Sequence, residues 1–186
     1  MCGRYYIEMD DDELRALVER IENGSAVKTG EVFPGDEAAV IAPGGGAAAM
    51  RWGFPRWDGK GQIINARSET AADKSMFRAP MQTGRCLVPA SWYFEWEKRG
   101  SAKIKYALKP ESGGIVWLAG ISRKNRDTGE DDFVILTRPA WSGIGFIHDR
   151  MPVILPAAVH DEWLHGRSPE RVLENAVEKV EFREVR

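Results

Sequence analysis

The chain has 186 residues, and its 26 Lys and Arg side chains against 28 Asp and Glu leave a formal net charge of −2 at pH 7. This length suits a single domain with a substantial core, and a hydrophobic content of 43% excludes an intrinsically disordered chain. No apolar run approaches the roughly 18 to 20 residues of a membrane-spanning helix, and no signal peptide is recognisable, so we expect a cytoplasmic protein with no membrane partner.

The first predicted element is an amphipathic helix over Asp10–Glu22, which Asn23-Gly24 would end. Its apolar residues recur at the spacing of one helix face, at Leu14, Leu17, Val18 and Ile21. β-Prone runs separated by turn-forming residues follow at Ala38–Ile41, Ile63–Ile64, Trp92–Trp96, Ile104–Leu108, Ile115–Ile121, Phe133–Thr137 and Pro152–Leu155.

Short helices are predicted at Glu69–Phe77 and Val159–Leu164, and a last one has Ser168 as its cap and Pro169 in its first turn. Strands this numerous, without regular intervening helices, favour an α+β fold with an antiparallel or mixed sheet over a doubly wound parallel fold. We therefore expect one domain over residues 1–186.

Charge is unevenly distributed along the chain. Residues 1–50 carry 4 basic and 10 acidic side chains, whereas residues 51–105 carry 11 basic and 5 acidic ones. The second block is also rich in aromatic residues. Basic side chains interleaved with aromatics suit single-stranded nucleic acid, because cations follow the phosphates while rings stack on bases. Aromatics at this density also fill protein cores, so this block alone does not decide between the two interpretations.

The most unusual feature is Met1-Cys2, because methionine before a small residue is commonly removed. Cys2 would then carry an α-amine and a thiol on adjacent carbons. This pair can attack an aldehyde twice, first through nitrogen to give a Schiff base and then through sulfur to close a five-membered thiazolidine ring. Reference pKa values of roughly 8 for the amine and 8.5 for the thiol keep both nucleophiles accessible near neutral pH. On this pair alone, a buried cysteine after a start residue is the simpler interpretation.

Three further segments carry polar groups suited to chemistry. In the first, Asn65 can hold a small polar group through its amide, and Arg67 can bind a phosphate in bidentate fashion. In the second, Glu95 stands among aromatics, as either a paired strand-end group or a desolvated acid–base group. In the third, His148 supplies a proton-transfer imidazole and Arg150 a second phosphate-binding guanidinium.

Five motifs follow one another along the chain: Met-Cys-Gly-Arg at 1–4, Trp-Gly-Phe-Pro at 52–55, Asn-Ala-Arg-Ser-Glu-Thr at 65–70, Trp-Tyr-Phe-Glu-Trp at 92–96 and Ile-His-Asp-Arg-Met-Pro at 147–152. Together they resemble the SOS response-associated peptidase (SRAP) family over nearly the whole chain. The resemblance implies a compact α+β domain with a twisted, barrel-like mixed or antiparallel sheet, flanked by short helices, and a positively charged DNA channel. It also implies that the protein shields abasic sites in the DNA damage response.

The resemblance further implies a role for each matching residue. After Met1 is removed, autocatalytically or by an aminopeptidase, Cys2 would form a thiazolidine with the abasic sugar. Asn65 would position the amine, Glu95 would shuttle protons, and His148 would assist sugar-ring opening and crosslink reversal. Contacts with DNA are implied at Arg4, Arg67, Arg150, Pro34, Thr137 and Trp57, the last as an aromatic wedge.

The partner implied by the resemblance is single-stranded DNA that contains abasic sites, bound by a monomer that joins the nucleoid when it acts. We expect no metal and no cofactor, since the two cysteines are too few for a structural zinc site. Two other functions stay open. One is a thiol peptidase or amidohydrolase acting in trans, with Cys2 as nucleophile and His148 or Glu95 as base. The other is a noncatalytic single-stranded DNA binder.

Overall fold

Short strands are the commonest element of the molecule, which a computed structural model describes for residues 2–21 and 27–185. In these residues the strands β1 to β14 span Tyr5–Ile7, Gly30–Val32, Glu37–Ile41, Ala47–Trp52, Phe54–Pro55, Gln62–Ile63, Asn65–Arg67, Arg85–Ala90, Trp92–Arg99, Ala102–Pro110, Val116–Lys124, Asp131–Pro139, Arg150–Pro152 and Val180–Val185. The helices α1 to α4 span Asp12–Ile21, Ser75–Thr83, His160–His165 and Pro169–Leu173.

Five of the strands close into a barrel-like ring. β3 pairs with β4 and β8, β8 pairs with β11, and β12 completes the ring by pairing with both β11 and β4. The β4–β12 pair is parallel and the other four are antiparallel, so the sheet is mixed. Outside the ring, β7 and β13 also pair with β12. The expected α+β fold with a barrel-like mixed sheet is confirmed.

A second, antiparallel sheet has the strand order β14-β10-β9-β1-β2 and carries the beginning of the chain. In its register, Tyr5 of β1 lies opposite Tyr93 of β9, and Glu95 of β9 lies opposite Tyr106 of β10. Because side chains alternate along a strand, Tyr93 and Glu95 share one face of β9. The short segment before β1 is therefore held against the strand that carries the predicted carboxylate.

Helix α1 follows the predicted periodicity and buries Leu14, Leu17 and Val18. It begins at Asp12 rather than Asp10, because Asp11 Oδ1 accepts hydrogen bonds from the first backbone amides of the helix at 3.0 Å. The predicted end at Glu22 and the stop at Asn23-Gly24 lie outside the described residues. Among the described residues, no helix is long and apolar enough to cross a membrane.

The helix predicted over Glu69–Phe77 is wrong in its position. The chain instead turns after β7, where Lys74 N donates to Thr70 O at 3.2 Å, and α2 begins only at Ser75. The carboxylate of Glu69 forms an ion pair with Arg150, which is 81 residues away in the sequence. This contact holds the segment as a turn. Ser168 and Pro169 do precede and open α4, but the Ser168 side chain makes no capping hydrogen bond.

Candidate active site

Cys2 and Asn65 meet although 63 residues separate them. Asn65 Nδ2 donates a hydrogen bond to Cys2 O at 2.8 Å. Asn65 opens β7, which runs parallel to β12 in a register that places it opposite Ile135. On the other side, Phe94 N donates to Arg4 O at 2.9 Å, which fixes the segment after Cys2 along β9. Both sheets thus position the residue that was predicted as the nucleophile.

Burial dominates the electrostatics of the cluster formed by Cys2, Asn65, Glu95 and His148, which is called the pocket below. Cys2 is fully buried, and Glu95 is 3% exposed. Desolvation raises the pKa of Glu95, while the positive charge of His148 opposes that rise. Desolvation and the charge of Glu95 raise the pKa of the Cys2 thiol well above its usual range. The ordinary pKa of a free thiol therefore does not apply to this buried group, and a reaction through its sulfur would need a base.

His148 lies between the 3-10 helix Ser142–Ile144 and β13 and is partly exposed. Its Nδ1 accepts the backbone amide of Arg150 at 2.9 Å and lies 2.7 Å from the Asp149 carboxylate. The first contact fits a neutral ring and the second a protonated one, because the amide needs an acceptor and the carboxylate needs a donor. Since its charge lowers the pKa of Glu95, His148 belongs to the same electrostatic site.

Three buried polar atoms in this neighbourhood, all within the described residues, have no hydrogen-bond partner: Asn65 Oδ1, Tyr5 Oη and Tyr93 Oη. After burial, Cys2 is the largest influence on the pKa of Tyr5 and of Tyr93, and raises both. An unpaired buried polar atom costs about 1–3 kcal/mol, so a ligand group that pairs with Asn65 Oδ1 or Tyr93 Oη would be favoured. Sequence reasoning missed the hydroxyl of Tyr93, although the alternation along β9 places it beside Glu95.

The predicted DNA-contacting arginines differ in their surroundings. Arg4 Nη1 donates to Glu31 Oε1 at 3.2 Å, and the same oxygen accepts from Lys105 Nζ at 2.6 Å. The Arg4 guanidinium also lies 4.0 Å from the centre of the Phe33 ring. A carboxylate that sequence reasoning missed, Glu31, therefore neutralises part of the positive charge at this end of the site.

Arg150 is held by a carboxylate and a carbonyl. It binds both carboxylate oxygens of Glu69, and its Nη2 donates to Thr137 O at 2.6 Å. The hydrogen bond from Arg150 lowers the pKa of Glu69 to about 2. Thr137 is fully buried and lies opposite Arg67 in the β7–β12 register. Arg67 itself is exposed and makes no ion pair with any described residue, so its charge is uncompensated.

Trp57 and Pro34 lie on two surface turns. Trp57 is 90% exposed, in the loop that joins β5 to β6. Pro34 is in a tight turn between β2 and β3, closed by a hydrogen bond from Asp36 N to Phe33 O at 3.0 Å. The turn needs glycine at position 35, where φ is 95°. Both turns present a ring to solvent, since Phe33 is also exposed.

No group of three or more His, Cys, Asp or Glu is placed to hold a metal ion within residues 2–21 and 27–185.

Comparison with known proteins gives consistent results. The family model described as SOS response associated peptidase (SRAP) matches residues 1–186. The chain is 31% identical to the abasic site processing protein YedK of Escherichia coli (strain K12), over 88% of this chain and 79% of that protein. It is also 31% identical to the abasic site processing protein YoqW of Bacillus subtilis (strain 168), over 90% of this chain and 82% of that protein.

Solved structures support the fold. A crystal structure of a protein from Bacteroides thetaiotaomicron superposes with a TM-score of 0.81 at 24% identity, covering 100% of this chain and 92% of that one. A second, from Bordetella bronchiseptica, superposes with a TM-score of 0.80 at 23% identity, covering 100% of both chains.

Proposed function

The chain belongs to the SOS response-associated peptidase family, and we propose that it binds single-stranded DNA at abasic sites and crosslinks to them through Cys2. The observation that carries the proposal is the 2.8 Å hydrogen bond from Asn65 to Cys2 O. It fixes the residue that can present an amine and a thiol together, beside the buried carboxylate of Glu95. Relatives named as abasic site processing proteins support the substrate class.

The first step is removal of Met1, which lies outside the described residues. Water hydrolyses the Met1–Cys2 peptide bond, so the new carboxyl group leaves with Met1 and the new α-amine stays on Cys2. Glu95 can accept the proton from water, because burial raises the pKa of its carboxyl and makes the carboxylate a stronger base. Asn65 holds the Cys2 carbonyl while the preceding bond is cleaved. Removal by an aminopeptidase would give the same product.

Crosslinking then joins two nucleophiles to one aldehyde carbon. The Cys2 nitrogen attacks the aldehyde of the open-chain deoxyribose, and loss of one water gives an imine. The Cys2 sulfur next attacks the imine carbon, and the thiol proton ends on nitrogen, which closes the thiazolidine without oxidation or reduction. Because burial and Glu95 keep the thiol protonated, Glu95 is the base that accepts this proton and returns it to nitrogen.

The surrounding residues hold the DNA strand. Arg67, exposed and uncompensated, provides the phosphate contact that needs no rearrangement. Arg4 and Arg150 contact phosphates when DNA competes with Glu31 and Glu69 for their guanidinium groups. Trp57 acts as the wedge beside the lesion, and Pro34 lines the path of the strand. The fully buried Thr137 acts through Arg150, whose guanidinium its carbonyl oxygen holds.

The test incubates protein that lacks Met1, verified by intact mass, with an abasic single-stranded oligonucleotide. We expect an adduct that survives denaturation, with the mass of protein plus DNA less one water. Cys2→Ala should form none, whereas Cys86→Ala, a change at the other buried cysteine, should still form it. An adduct that persists in Cys2→Ala would contradict the proposal. Tight DNA binding with no adduct would indicate a noncatalytic binder, and peptide turnover with Met1 retained would indicate a peptidase acting in trans.

His148 is expected to contribute more to reversal than to formation, since its imidazole can protonate the atoms that leave as the ring reopens. His148→Ala should therefore slow the release of intact abasic DNA from the purified adduct. His165→Ala, at the end of α3, is the matched control and should release DNA at the wild-type rate. Equal release rates in His148→Ala and wild type would exclude this role.

A further inference from the structure

Tyr93 carries a hydroxyl that the function proposed so far does not use. It precedes Glu95 by two positions on β9, so both side chains lie on the same face of the strand. Its opposite partner on β1 is Tyr5, three residues after Cys2. The side chain is fully buried, and its Oη has no hydrogen-bond partner among residues 2–21 and 27–185. A phenyl ring would fill this position without leaving a polar atom unpaired.

The electrostatic neighbours of this hydroxyl are the two reactive groups of the site. Burial raises the pKa of Tyr93 well above its usual range, and Cys2 and Glu95 raise it further. The hydroxyl therefore keeps its proton throughout the physiological range. It can only donate a hydrogen bond or accept one, and it cannot serve as the base. A protonated donor near both a nucleophile and a carboxylate suits an oxygen that gains negative charge.

Given the proposed crosslinking function, we infer that Tyr93 is a further catalytic residue, whose hydroxyl donates a hydrogen bond to the aldehyde oxygen of the abasic sugar. As the Cys2 nitrogen forms its bond to the aldehyde carbon, the electron pair of the C=O bond moves to that oxygen. Tyr93 stabilises the oxygen and keeps its own proton. Glu95 passes the protons with which the oxygen later leaves as water.

Tyr5 provides a matched comparison within the same sheet. It is also fully buried, and its hydroxyl is also unpaired among the described residues. Its neighbours differ, since its ring centre lies 5.1 Å from that of Trp52. After burial and Cys2, the charges that raise its pKa are those of Asp36 and Cys86, whereas for Tyr93 the corresponding charge is that of Glu95. The two tyrosines share chemistry and burial but differ in their relation to Glu95, so only Tyr93 is expected to act on the aldehyde.

The experiment compares Tyr93→Phe with Tyr5→Phe, each without Met1. The rate of adduct formation is measured at saturating abasic single-stranded DNA, and affinity is measured with a tetrahydrofuran analogue that has no aldehyde. Tyr93→Phe should crosslink roughly 10- to 100-fold more slowly, as expected for loss of one donor to a developing charge. Its affinity for the analogue should be unchanged, because the hydrogen bond forms only with the aldehyde oxygen. Tyr5→Phe should match wild type in both.

Thermal unfolding separates this role from a structural one. Neither variant loses a hydrogen bond to the described part of the chain, so both should unfold at or above the wild-type midpoint. A wild-type crosslinking rate in Tyr93→Phe, or equal slowing in both variants, would overturn the inference and leave the proposed function standing. Absence of any adduct from the wild-type protein would overturn both.

Discussion

Cys2 and Glu95 are 0% and 3% exposed, whereas Trp57 is 90% exposed and Arg67 also faces solvent. In the pocket, burial raises the pKa of both the thiol and the carboxyl, because the loss of water outweighs the opposing contributions, including the positive charge of His148 near the carboxyl. At the surface, carboxylates already neutralise two of the three arginines that were expected to meet DNA. Under the proposed function, the pocket serves proton transfer, and the arginines at the surface exchange their carboxylate partners for phosphates.

Because the pocket and the surface differ in this way, substitutions in the two regions should have different effects. Changes in the pocket should alter the rate of crosslinking and leave DNA affinity nearly unchanged. Changes at the surface should alter affinity and its dependence on salt, and leave the rate at saturation nearly unchanged. Each of the following substitutions tests one side of this division.

The largest effect is expected for Glu95→Gln, which keeps the shape of the side chain but removes the base. Loss of a general acid–base group costs roughly 10²- to 10⁴-fold in rate, so crosslinking at saturating DNA should fall within that range. The single-turnover rate measures it. Glu97→Gln is the matched control on the same strand, since Glu97 accepts hydrogen bonds from Tyr106 and Arg99 instead. A comparable loss in both variants would show that charge on β9, and not proton transfer, matters.

Asn65→Ala should have the next largest effect, because it removes the hydrogen bond to Cys2 O. Misplacing a nucleophile by about 1 Å can cost roughly 100-fold in rate, and a buried carbonyl left unpaired costs about 1–3 kcal/mol of stability. Single-turnover kinetics and urea unfolding measure the two losses. Asn65→Asp keeps an acceptor but removes the donor, and should resemble Asn65→Ala in rate. Full activity in Asn65→Asp would contradict the role given to this hydrogen bond.

Arg67→Gln tests the surface. Loss of one phosphate contact with a single strand should reduce the slope of log K against log salt by about 0.7, and affinity should fall most at low salt. Fluorescence anisotropy over a salt series with a non-reactive abasic analogue measures both quantities. Arg20→Gln, an exposed arginine on α1, is the control and should leave the slope unchanged. A reduced crosslinking rate at saturating DNA in Arg67→Gln would contradict the expectation that surface residues affect only DNA affinity.

Some strands could be predicted from the sequence and others could not. β10 to β12 were predicted because β-branched and aromatic residues recur in them. β4 was missed because alanines make up its first half, and β14 because it is a highly charged edge strand. Tertiary pairing, which a local pattern does not contain, places both.

The site shows the same limit. Asn65 and Glu95 could be predicted as site residues because each stands in a short distinctive motif. The ion pairs of Arg4 with Glu31 and Arg150 with Glu69 span 27 and 81 residues and have no local signature. The sequence therefore predicts candidate groups for the chemistry but not which charges around them are already compensated.

Glu69→Gln should have the smallest effect on stability. Its effect on DNA affinity should be opposite in sign to that of Arg67→Gln. Arg150 holds the pKa of Glu69 at about 2, below the ordinary value of 4.5, so this ion pair stabilises the fold above pH 4.5 and loses its contribution as the pH falls toward 2. Because the Glu69 side chain is 42% exposed, solvent screening limits the contribution to about 1 kcal/mol. Urea unfolding should show this deficit in the variant at pH 7 and a smaller one on acidification.

DNA affinity distinguishes this ion pair from a purely structural one. If Glu69 and phosphate compete for Arg150, the substitution should raise affinity for the abasic analogue and steepen its salt dependence, opposite in sign to Arg67→Gln. Glu111→Gln removes an exposed carboxylate in the turn after β10 and controls for net charge alone. Weaker binding in Glu69→Gln would mean that the carboxylate orients Arg150 for DNA, so that compensation at this surface serves positioning and not competition.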